Sequence, residues 1–359
     1  MKHSYLLAGI TTGKLCRLLG RNGFSLSPKM LARVLFLLQG SVWASVFKRT
    51  ERRKFKKQLG VYKMPADPVF IIGHWRTGST YLHQLLALDN KLVTPNVFQV
   101  SAVDSFLVSE KYYKPVMTSM MHPTRPMDNV PLGFYEPQED EYALIKMTPD
   151  SPLEKMLFPK NDSYFLNGYK DFYPQNPAAW KKLFYNFCLR LSFIDGKRVL
   201  LKNPFHSMRL PLLREMFPEA KFIHIHRHPY AVVPSTIHMW HIVGNENKLK
   251  NKSSKYRVDE VSEVLNRLLA YVQRHLKDIP EKNKMEISFE ELEADPAGTV
   301  KKIYGKLNMT PAPGFEQKLA DKIALTKSHR KNKYTLTEQN KEIIKKTLGK
   351  HFIYYNYQA

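Results

Sequence analysis

The chain has 359 residues, of which 43% are hydrophobic and 25% are charged, a balance that is typical of a globular protein and excludes a disordered chain. Its formal net charge of +24 predicts an anionic partner: nucleic acid, an anionic membrane surface, or a substrate that carries phosphate or sulfate. The two cysteines, Cys16 and Cys188, exclude a disulfide framework or a zinc cluster and favour a reducing, cytoplasmic location.

The N-terminal segment is predicted to be a basic helical extension over residues 1–60, ahead of a main domain over residues 61–359. Residues 31–47 are apolar apart from four polar side chains, which is too short for a membrane span of about 20 residues. Seven basic residues follow within 48–57. Such a helix either lies on an anionic membrane as a peripheral contact or packs on the main domain with a solvated basic tail, and the sequence leaves both open.

The first predicted strand of the main domain, over residues 69–72, runs into a glycine-framed loop. The loop reads Gly-His-Trp-Arg-Thr-Gly-Ser-Thr over residues 73–80, and a helix is predicted to start near Ser79. Loop amides and a helix N-terminus direct several N–H donors at one anion. The loop nearly fits the P-loop pattern, but Ser79 occupies the lysine position, so we expect it to bind a single phosphate group. Arg76 supplies a cation from elsewhere in the loop.

Strands and helices alternate through the rest of the main domain. The further predicted strands cover residues 198–201, 221–226 and 285–288. The predicted helices cover residues 79–88, 101–121, 138–147, 177–193, 207–217, 230–240 and 259–276, with another after Pro296. This alternation predicts an α/β fold in which helices cover both faces of a parallel sheet.

A second anion site is predicted where the strand over residues 221–226 ends in Arg227. Ser235 follows eight residues later, about two helical turns on. Carboxyl ends of parallel strands meet at one edge of a sheet, so we expect Arg227 near the loop at 73–80. A triphosphate-hydrolysing protein usually has an acidic Mg²⁺ ligand at such a strand end, whereas arginine suits phosphate recognition. Two phosphate sites without a metal predict a nucleotide such as 3′-phosphoadenosine 5′-phosphosulfate (PAPS).

Four motifs together resemble the PAPS-dependent sulfotransferases across most of residues 68–310. These motifs lie at residues 73–80, 201–221, 222–235 and 287–296. The first is similar to the 5′-phosphosulfate loop, the second to the lysine segment of tyrosylprotein sulfotransferases, and the third to the 3′-phosphate segment. The stretch Glu139-Asp140-Glu141 is most similar to the bacterial-type branch. The resemblance implies the sulfotransferase fold, a P-loop-like parallel sheet flanked by helices.

The resemblance also implies roles for individual residues. Arg76 stands where the family has a cation that contacts the leaving phosphate and the sulfuryl group. Lys202 stands where a lysine contacts the sulfuryl group in flight. The other implied donor-binding positions are Thr77, Gly78, Ser79 and Thr80 in the loop, Arg227 and Ser235 at the 3′-phosphate, and Tyr334, which we expect to close over the nucleotide with Arg330, Lys331 and Lys333.

The general base is not given by the motifs. Cytosolic sulfotransferases have a histidine two residues after the lysine, where this chain has Pro204. The tyrosylprotein branch has a glutamate where this chain has Gln99 and no carboxylate. We expect Glu139 or Glu141 to serve instead, because like-charge repulsion within a carboxylate cluster favours proton acceptance. Acids are equally favoured at a helix start, so a structural role stays open. The alternatives are His74 and His206.

The expected reaction is transfer of a sulfuryl group from PAPS to an acceptor hydroxyl, which releases 3′,5′-ADP and needs no metal. A P-loop-like nucleotide kinase or NTPase is disfavoured by Ser79 and Arg227. A basic nucleic-acid-binding protein is disfavoured because the chain contains no recognisable binding module, so no nucleic-acid partner is expected.

The acceptor is expected to be a small molecule, a lipid or a glycan. Aromatic residues and methionines between 97 and 180 favour a lipid or sterol-like alcohol, because they suit an apolar pocket; ordinary core packing is the alternative. These residues are Phe98, Phe106, Tyr112, Tyr113, Met117, Met120, Met121, Phe134 and Tyr135.

Overall fold

A parallel sheet forms the centre of the protein. The computed structural model describes residues 5–24, 26–121, 123–125, 127–128, 130–159, 172–250, 256–326 and 334–358. Within these residues the sheet has five strands in the order β2-β3-β1-β4-β5. The strands are β1 (Val69–Ile72), β2 (Leu92–Val93), β3 (Arg198–Lys202), β4 (Lys221–His226) and β5 (Lys284–Ser288). All pairs are parallel, and Phe70 of β1 is in register with Leu201 of β3 and Phe222 of β4.

Helices surround this sheet on both faces. Those of the N-terminal half are α1 (Thr12–Arg21), α2 (Leu31–Val61), α3 (Ser79–Leu86), α4 (Val97–Ser101), α5 (Glu110–Met120), α6 (Glu141–Met147) and α7 (Glu154–Leu157). Those of the C-terminal half are α8 (Pro177–Phe193), α9 (Leu210–Met216), α10 (Pro229–Asn247), α11 (Val258–Leu276), α12 (Phe289–Ala294), α13 (Pro296–Lys306), α14 (Phe315–Thr326) and α15 (Glu338–Tyr354). The expected α/β fold, with a parallel sheet and a long N-terminal helix, is confirmed.

Strand β1 is buried because helices cover both of its faces. Its four side chains are fully buried and alternate between two apolar clusters. Phe70 and Ile72 join the larger cluster, whereas Val69 and Ile71 join the smaller one. A strand covered on both sides needs a continuous apolar run, which is why Val-Phe-Ile-Ile is readable as a strand from sequence.

The N-terminal helices share the core of the main domain. Leu15 of α1 and Leu37 of α2 belong to the same apolar cluster as Phe70. Further along α2, Glu51 forms a buried ion pair with Arg190 of α8. Of the two arrangements that the sequence leaves open for residues 1–60, packing on the main domain is therefore realised for the inner face of α2.

The structure departs from the predicted elements where tertiary contacts set the boundaries. Residues 101–121 do not form one helix: α4 starts earlier, at a capping box of Asn96 and Gln99, and turns at residues 102–108 separate it from α5 (Glu110–Met120). Helix α10 continues to Asn247, past the expected end. Strand β2 was not predicted because two residues carry no pattern, and pairing with β3 alone defines it. Helices α14 and α15 were also not predicted.

Candidate active site

The loop after β1 has a backbone conformation that suits close approach of a ligand. Arg76 has a left-handed φ of 67°, which is uncommon for a residue other than glycine and is concentrated at functional sites. Gly78 has a φ of 87°, and a Cβ there would lie 2.0 Å from Cδ2 of Phe289. Only glycine therefore fits at this position, and the loop is held against α12.

Helix α3 begins at Ser79, immediately after this loop. The first N–H groups of a helix have no intrahelical acceptor and carry a partial positive charge, so they suit an anion. The hydroxyl of Thr77 donates to the carbonyl of His74 at 2.8 Å and thereby braces the loop from within. Of the four loop residues predicted to bind the donor, Gly78, Ser79 and Thr80 line the adjoining cavity and Thr77 does not.

The two predicted anion sites lie side by side. Nε of Arg76 donates to Oγ of Ser235 at 2.8 Å, and Nη1 of Arg227 donates to the carbonyl of Arg76 at 3.4 Å. The guanidinium of Arg227 also lies 4.3 Å from the ring centroid of Phe289. Burial lowers the pKa of Arg227 from its ordinary value. The sheet edge thus brings together three residues that are separated by up to 159 positions in the chain.

An acidic residue that the motifs do not include holds Arg76 in place. Nη1 of Arg76 lies 2.6 Å from Oδ2 of Asp128, and Nε of Arg125 donates to Oδ1 of the same carboxylate at 3.0 Å. Burial raises the pKa of Asp128, but the two guanidinium groups outweigh this effect and lower it to about 2. Asp128 and Arg125 are further site residues, and no periodicity or motif in their segment indicates them.

Lys202 and Glu139 form a second polar centre in the same region. Nζ of Lys202 lies 2.5 Å from Oε1 of Glu139 and 3.3 Å from Oγ1 of Thr80. Burial lowers the pKa of Lys202, and the charge of Glu139 opposes that shift. The candidate lysine and one candidate base are therefore joined at the start of α3.

The other candidate bases lie away from this centre. Glu141 is fully buried and pairs with Arg209 at 2.7 Å. His206 is also fully buried, with Nε2 2.8 Å from Oδ2 of Asp140. Burial lowers the pKa of His74 to about 4. None of these three candidates lines the cavity described below, so we assign them to packing of the core and the loop; of the four candidate bases, Glu139 is the one in the cavity wall.

A cavity of about 1480 Å³ connects these groups. Arg76, Arg227 and Ser235 line its polar part together with Tyr334. Arg330, Lys331 and Lys333, expected beside Tyr334, lie outside the described residues. The apolar lining includes Met127, Val130, Leu153, Met156, Met239 and Val243.

The predicted apolar pocket is formed by other residues than expected. Phe98, Phe106, Met117 and Phe134 belong to the protein core. Tyr112 and Tyr135 are exposed at the surface. Tyr113 and Met121 pack against the core. The side chain of Met120 is not among those that the structure describes. Core packing, the alternative given by the sequence, accounts for the buried members of this group.

Comparison with known proteins gives matches to sulfotransferases. The model of the sulfotransferase family matches residues 68–313. Omega-hydroxy-beta-dihydromenaquinone-9 sulfotransferase Stf3 of Mycobacterium bovis is 30% identical over 349 residues, which cover 93% of this chain and 89% of that protein. The protein of the same name from Mycobacterium tuberculosis matches equally.

Two solved structures share the fold. Sulfotransferase STF9 of Mycobacterium avium has a TM-score of 0.69 at 15% identity, with 93% of this chain and 88% of that chain covered. Sulfotransferase STF1 of Mycobacterium tuberculosis has a TM-score of 0.61 at 17% identity, with 92% and 90% covered. At 15% and 17% sequence identity, these matches show a shared fold and nothing more specific.

Proposed function

Because this chain belongs to the sulfotransferase family, we propose that it transfers a sulfuryl group from PAPS to the hydroxyl of a lipid alcohol. The observation that carries this proposal is the joining of Arg76, Ser235 and Arg227 beside a P-loop that has serine in place of its lysine. Family membership favours this reaction over that of a nucleotide kinase, an NTPase or a nucleic-acid-binding protein.

The donor is proposed to bind with its two charged ends at the two arginines. The loop from Arg76 to Thr80 receives the 5′-phosphosulfate, since Arg76, Ser79 and Thr80 line the cavity at the start of α3, where the first helical N–H groups have no intrahelical acceptor. Arg227 and Ser235 receive the 3′-phosphate. Tyr334 lies at the cavity wall, where it can cover the nucleotide. This arrangement supplies positive charge from side chains and amides, so we expect no metal requirement.

Sulfuryl transfer is proposed to run between Glu139 and Lys202. The acceptor oxygen forms a bond to sulfur while the bond from sulfur to the phosphate oxygen breaks. The hydroxyl proton passes to the carboxylate of Glu139, and the electron pair remains on the 3′,5′-ADP that leaves. Arg76 and Lys202 stabilise the charge that develops on the leaving oxygen and on the sulfuryl group.

A lipid alcohol is the acceptor that the cavity supports best. Its apolar lining, which includes Leu153, Met156 and Val243, suits a hydrocarbon chain better than the hydroxyl groups of a sugar. The name of the Mycobacterium bovis relative states that it acts on an omega-hydroxylated dihydromenaquinone, which is a long lipid with a terminal hydroxyl. We therefore place the acceptor chain along the apolar lining with its hydroxyl at Glu139.

The proposed setting is the cytoplasm, with peripheral contact to a membrane. A reducing compartment agrees with two cysteines that are both free, one exposed and one buried. A lipid acceptor requires access to the membrane that holds it.

Nucleotide binding tests the donor site. Thermal shift and titration calorimetry would compare 3′,5′-ADP, 5′-AMP and ATP with Mg²⁺. We expect 3′,5′-ADP to bind most tightly, because it alone has phosphate at both positions. Arg227→Met should weaken 3′,5′-ADP about 10-fold or more and leave 5′-AMP unchanged, as a charge-assisted contact is worth roughly 1.5–3 kcal/mol. Tighter binding of ATP with Mg²⁺ would contradict the proposal.

Turnover tests the acceptor class. The protein would be incubated with PAPS and, separately, with long-chain alcohols, sterols and glycans, and the products read by mass spectrometry for the gain of one sulfuryl group. We expect modified long-chain alcohols. Modification of glycans alone would overturn the acceptor while leaving the donor site intact.

A further inference from the structure

One side of α2 is apolar and open to solvent over its N-terminal half. Leu35, Val42 and Trp43 are 56%, 55% and 60% exposed. Leu35 and Val42 lie seven residues apart, about two helical turns, and therefore face the same way. The other exposed apolar side chains of this half are Leu31, Phe36 and Val46. A contiguous apolar surface of this kind marks an interaction site rather than ordinary solvent-exposed surface.

The same side of α2 is strongly basic over its C-terminal half. Arg49, Arg53 and Lys57 continue the row at four-residue spacing, and all three are exposed. Arg52, Lys54 and Lys56 add exposed positive charge around them. Glu51 is the acidic residue of α2, and it is buried against Arg190. The exposed side of the helix therefore changes from apolar to cationic along its length, without an acidic residue.

Helix α5 widens this surface with aromatic side chains. The ring of Tyr112 stacks on Phe47 at 4.9 Å, and Phe47 lies 6.4 Å from the ring of Trp43. Tyr112 and Val116 are 51% and 54% exposed. Exposed tryptophan and tyrosine rings close to basic side chains are typical of surfaces at the boundary between lipid and water. We call this combined face of the two helices the α2–α5 surface.

The opposite side of α2 is bound to the protein. Val34 and Leu37 belong to the main apolar core, and Glu51 is held by Arg190. Among the described residues, the stretch Pro28–Val61 is long and apolar enough to cross a membrane. Crossing would remove Val34 and Leu37 from the core and would expose a buried ion pair. The packing therefore favours a helix that lies along a membrane over one that spans it.

The start of α2 is hydrogen-bonded to the end of α10, the helix that carries Val243 of the cavity wall. Nη1 of Arg33 donates to the carbonyl of Glu246 at 2.8 Å, three residues beyond Val243 of the cavity wall. The carbonyl of Leu249 accepts a hydrogen bond of 3.1 Å from the amide of Ser27, just ahead of α2. One short segment thus separates the proposed acceptor end of the cavity from the start of the α2–α5 surface.

We propose that the α2–α5 surface docks on an anionic lipid bilayer. Its apolar half enters the headgroup region, and its basic half binds the anionic headgroups. A second copy of the chain is the poorer occupant, because α2 has no exposed acidic residue that could pair with the basic half of the other copy. Docking would bring the acceptor end of the cavity next to the bilayer in which a lipid alcohol is dissolved. In this respect the inference rests on the proposed function.

Tryptophan fluorescence tests the docking directly. Trp43 is the exposed tryptophan of this chain, since Trp75, Trp180 and Trp240 are 6%, 0% and 1% exposed. We expect phosphatidylglycerol-containing vesicles to shift the emission to shorter wavelength, and brominated lipid chains to quench it. Vesicles of phosphatidylcholine alone should give a much smaller change. A Trp43→Phe variant should still float with anionic vesicles and lose the optical signal.

Flotation of matched variants separates the two halves of the surface. Arg49→Gln/Arg53→Gln/Lys57→Gln should lower the partition coefficient about 100-fold, because each basic residue near an anionic surface contributes roughly fivefold. Leu35→Glu/Val42→Glu should lower it at least as much. The matched controls on the exposed side of α15 are Lys345→Gln/Lys346→Gln/Lys350→Gln and Ile353→Glu. We expect these controls to bind vesicles like the unmodified protein.

The outcomes keep docking and catalysis apart. Failure of the unmodified protein to float with anionic vesicles, or an equal loss in the controls, would overturn the docking. Light scattering could instead show a dimer that dissociates in the Leu35→Glu/Val42→Glu variant, with no vesicle binding by the unmodified protein. That result would identify the surface as a contact between two copies of the chain and would also overturn the docking. Docking with no sulfonated alcohol would contradict the proposed function alone. Surface variants should retain turnover of a short, water-soluble alcohol.

Discussion

At the scale of single residues, the site depends on how a few charges are paired before any ligand arrives. Asp128 pairs with both Arg76 and Arg125, and Glu139 pairs with Lys202. Buried cations without partners would be costly, so these carboxylates stabilise a strongly basic cavity. These ion pairs also hold the guanidinium and ammonium groups in position, so that under the proposed function little reorganisation is needed when the donor binds.

Lys202→Ala should separate chemistry from donor binding. We expect kcat to fall about 10²- to 10³-fold, because one preorganised donor to the sulfuryl group is lost. Affinity for 3′,5′-ADP should change little, since that product lacks the sulfuryl group. Steady-state kinetics and calorimetry measure the two effects. Lys197→Ala is the control, as Lys197 is a surface residue that pairs with Asp195. Turnover within threefold of the unmodified enzyme would remove Lys202 from the reaction.

Glu139→Gln and Glu141→Gln should differ in their effect on turnover. Glu139→Gln should lower kcat about 10²- to 10⁴-fold, because a proton acceptor is lost. It should also lower the free energy of unfolding, because Lys202 loses its counter-charge. Glu141→Gln should lower the free energy of unfolding by roughly 3–5 kcal/mol, because it leaves Arg209 without its buried counter-charge. Kinetics and chemical denaturation of both variants give the comparison. The reverse pattern would make Glu141 the better candidate base.

At the scale of elements, α2 is attached to the main domain by more than apolar packing. Besides its pairing with Arg190, Glu51 accepts a hydrogen bond of 2.8 Å from the amide of Leu107 through Oε2. Arg190 donates in turn to the carbonyl of Val103 at 2.6 Å. A single carboxylate thus links α2, α8 and the turns between α4 and α5.

Glu51→Gln should therefore destabilise the whole protein. We expect the free energy of unfolding to fall by roughly 3–5 kcal/mol, measured by chemical denaturation. Glu215→Gln is the matched control, because Glu215 pairs with Lys181 at the surface, and its loss should cost less than about 1 kcal/mol. Glu51→Met/Arg190→Met should recover part of the loss, since it leaves no unpaired buried charge. Equal effects of the two single substitutions would show that α2 does not depend on this pair.

At the scale of the whole molecule, stability should depend on pH through buried histidines. Burial lowers the pKa of His74 to about 4, and burial together with His224 lowers the pKa of His226 to about 3. Both values lie below the ordinary 6.5, so the unfolded chain binds more protons between those limits. Stability is therefore greatest above pH 6.5 and falls as the pH falls, by up to about 1.4 kcal/mol per pH unit for each histidine.

Denaturation of the unmodified protein and of His226→Gln at several pH values between 7 and 4 measures this dependence, since both folded pKa values lie at or below the end of that range. We expect a shallower loss of stability in the variant, because one of the two protonation sites has been removed. An identical slope in both proteins would indicate that His226 becomes protonated in the folded state without cost.

Local patterns in the sequence were sufficient for the sheet and the donor loop. The apolar runs at 69–72 and 221–226 and the helix at 177–193 are confirmed to the residue. The loop at 73–80 is legible because its glycines and hydroxyl residues are adjacent in the chain. Each of these features is set by neighbours within a few positions, which is the range over which backbone sterics and side-chain alternation act.

The pairing of charged side chains in the site was decided by contacts between segments that are distant in the chain. Asp128 lies 52 positions from Arg76, and Glu139 lies 63 from Lys202, so nothing local links either pair. Glu139 and Glu141 are equivalent in sequence, yet one lies in the cavity wall and the other is paired inside the core. The sequence by itself determined the α/β sheet, the anion-binding loop and the family. Only the tertiary structure selected which charges meet, because burial and electrostatic pairing depend on distances in space and not on positions along the chain.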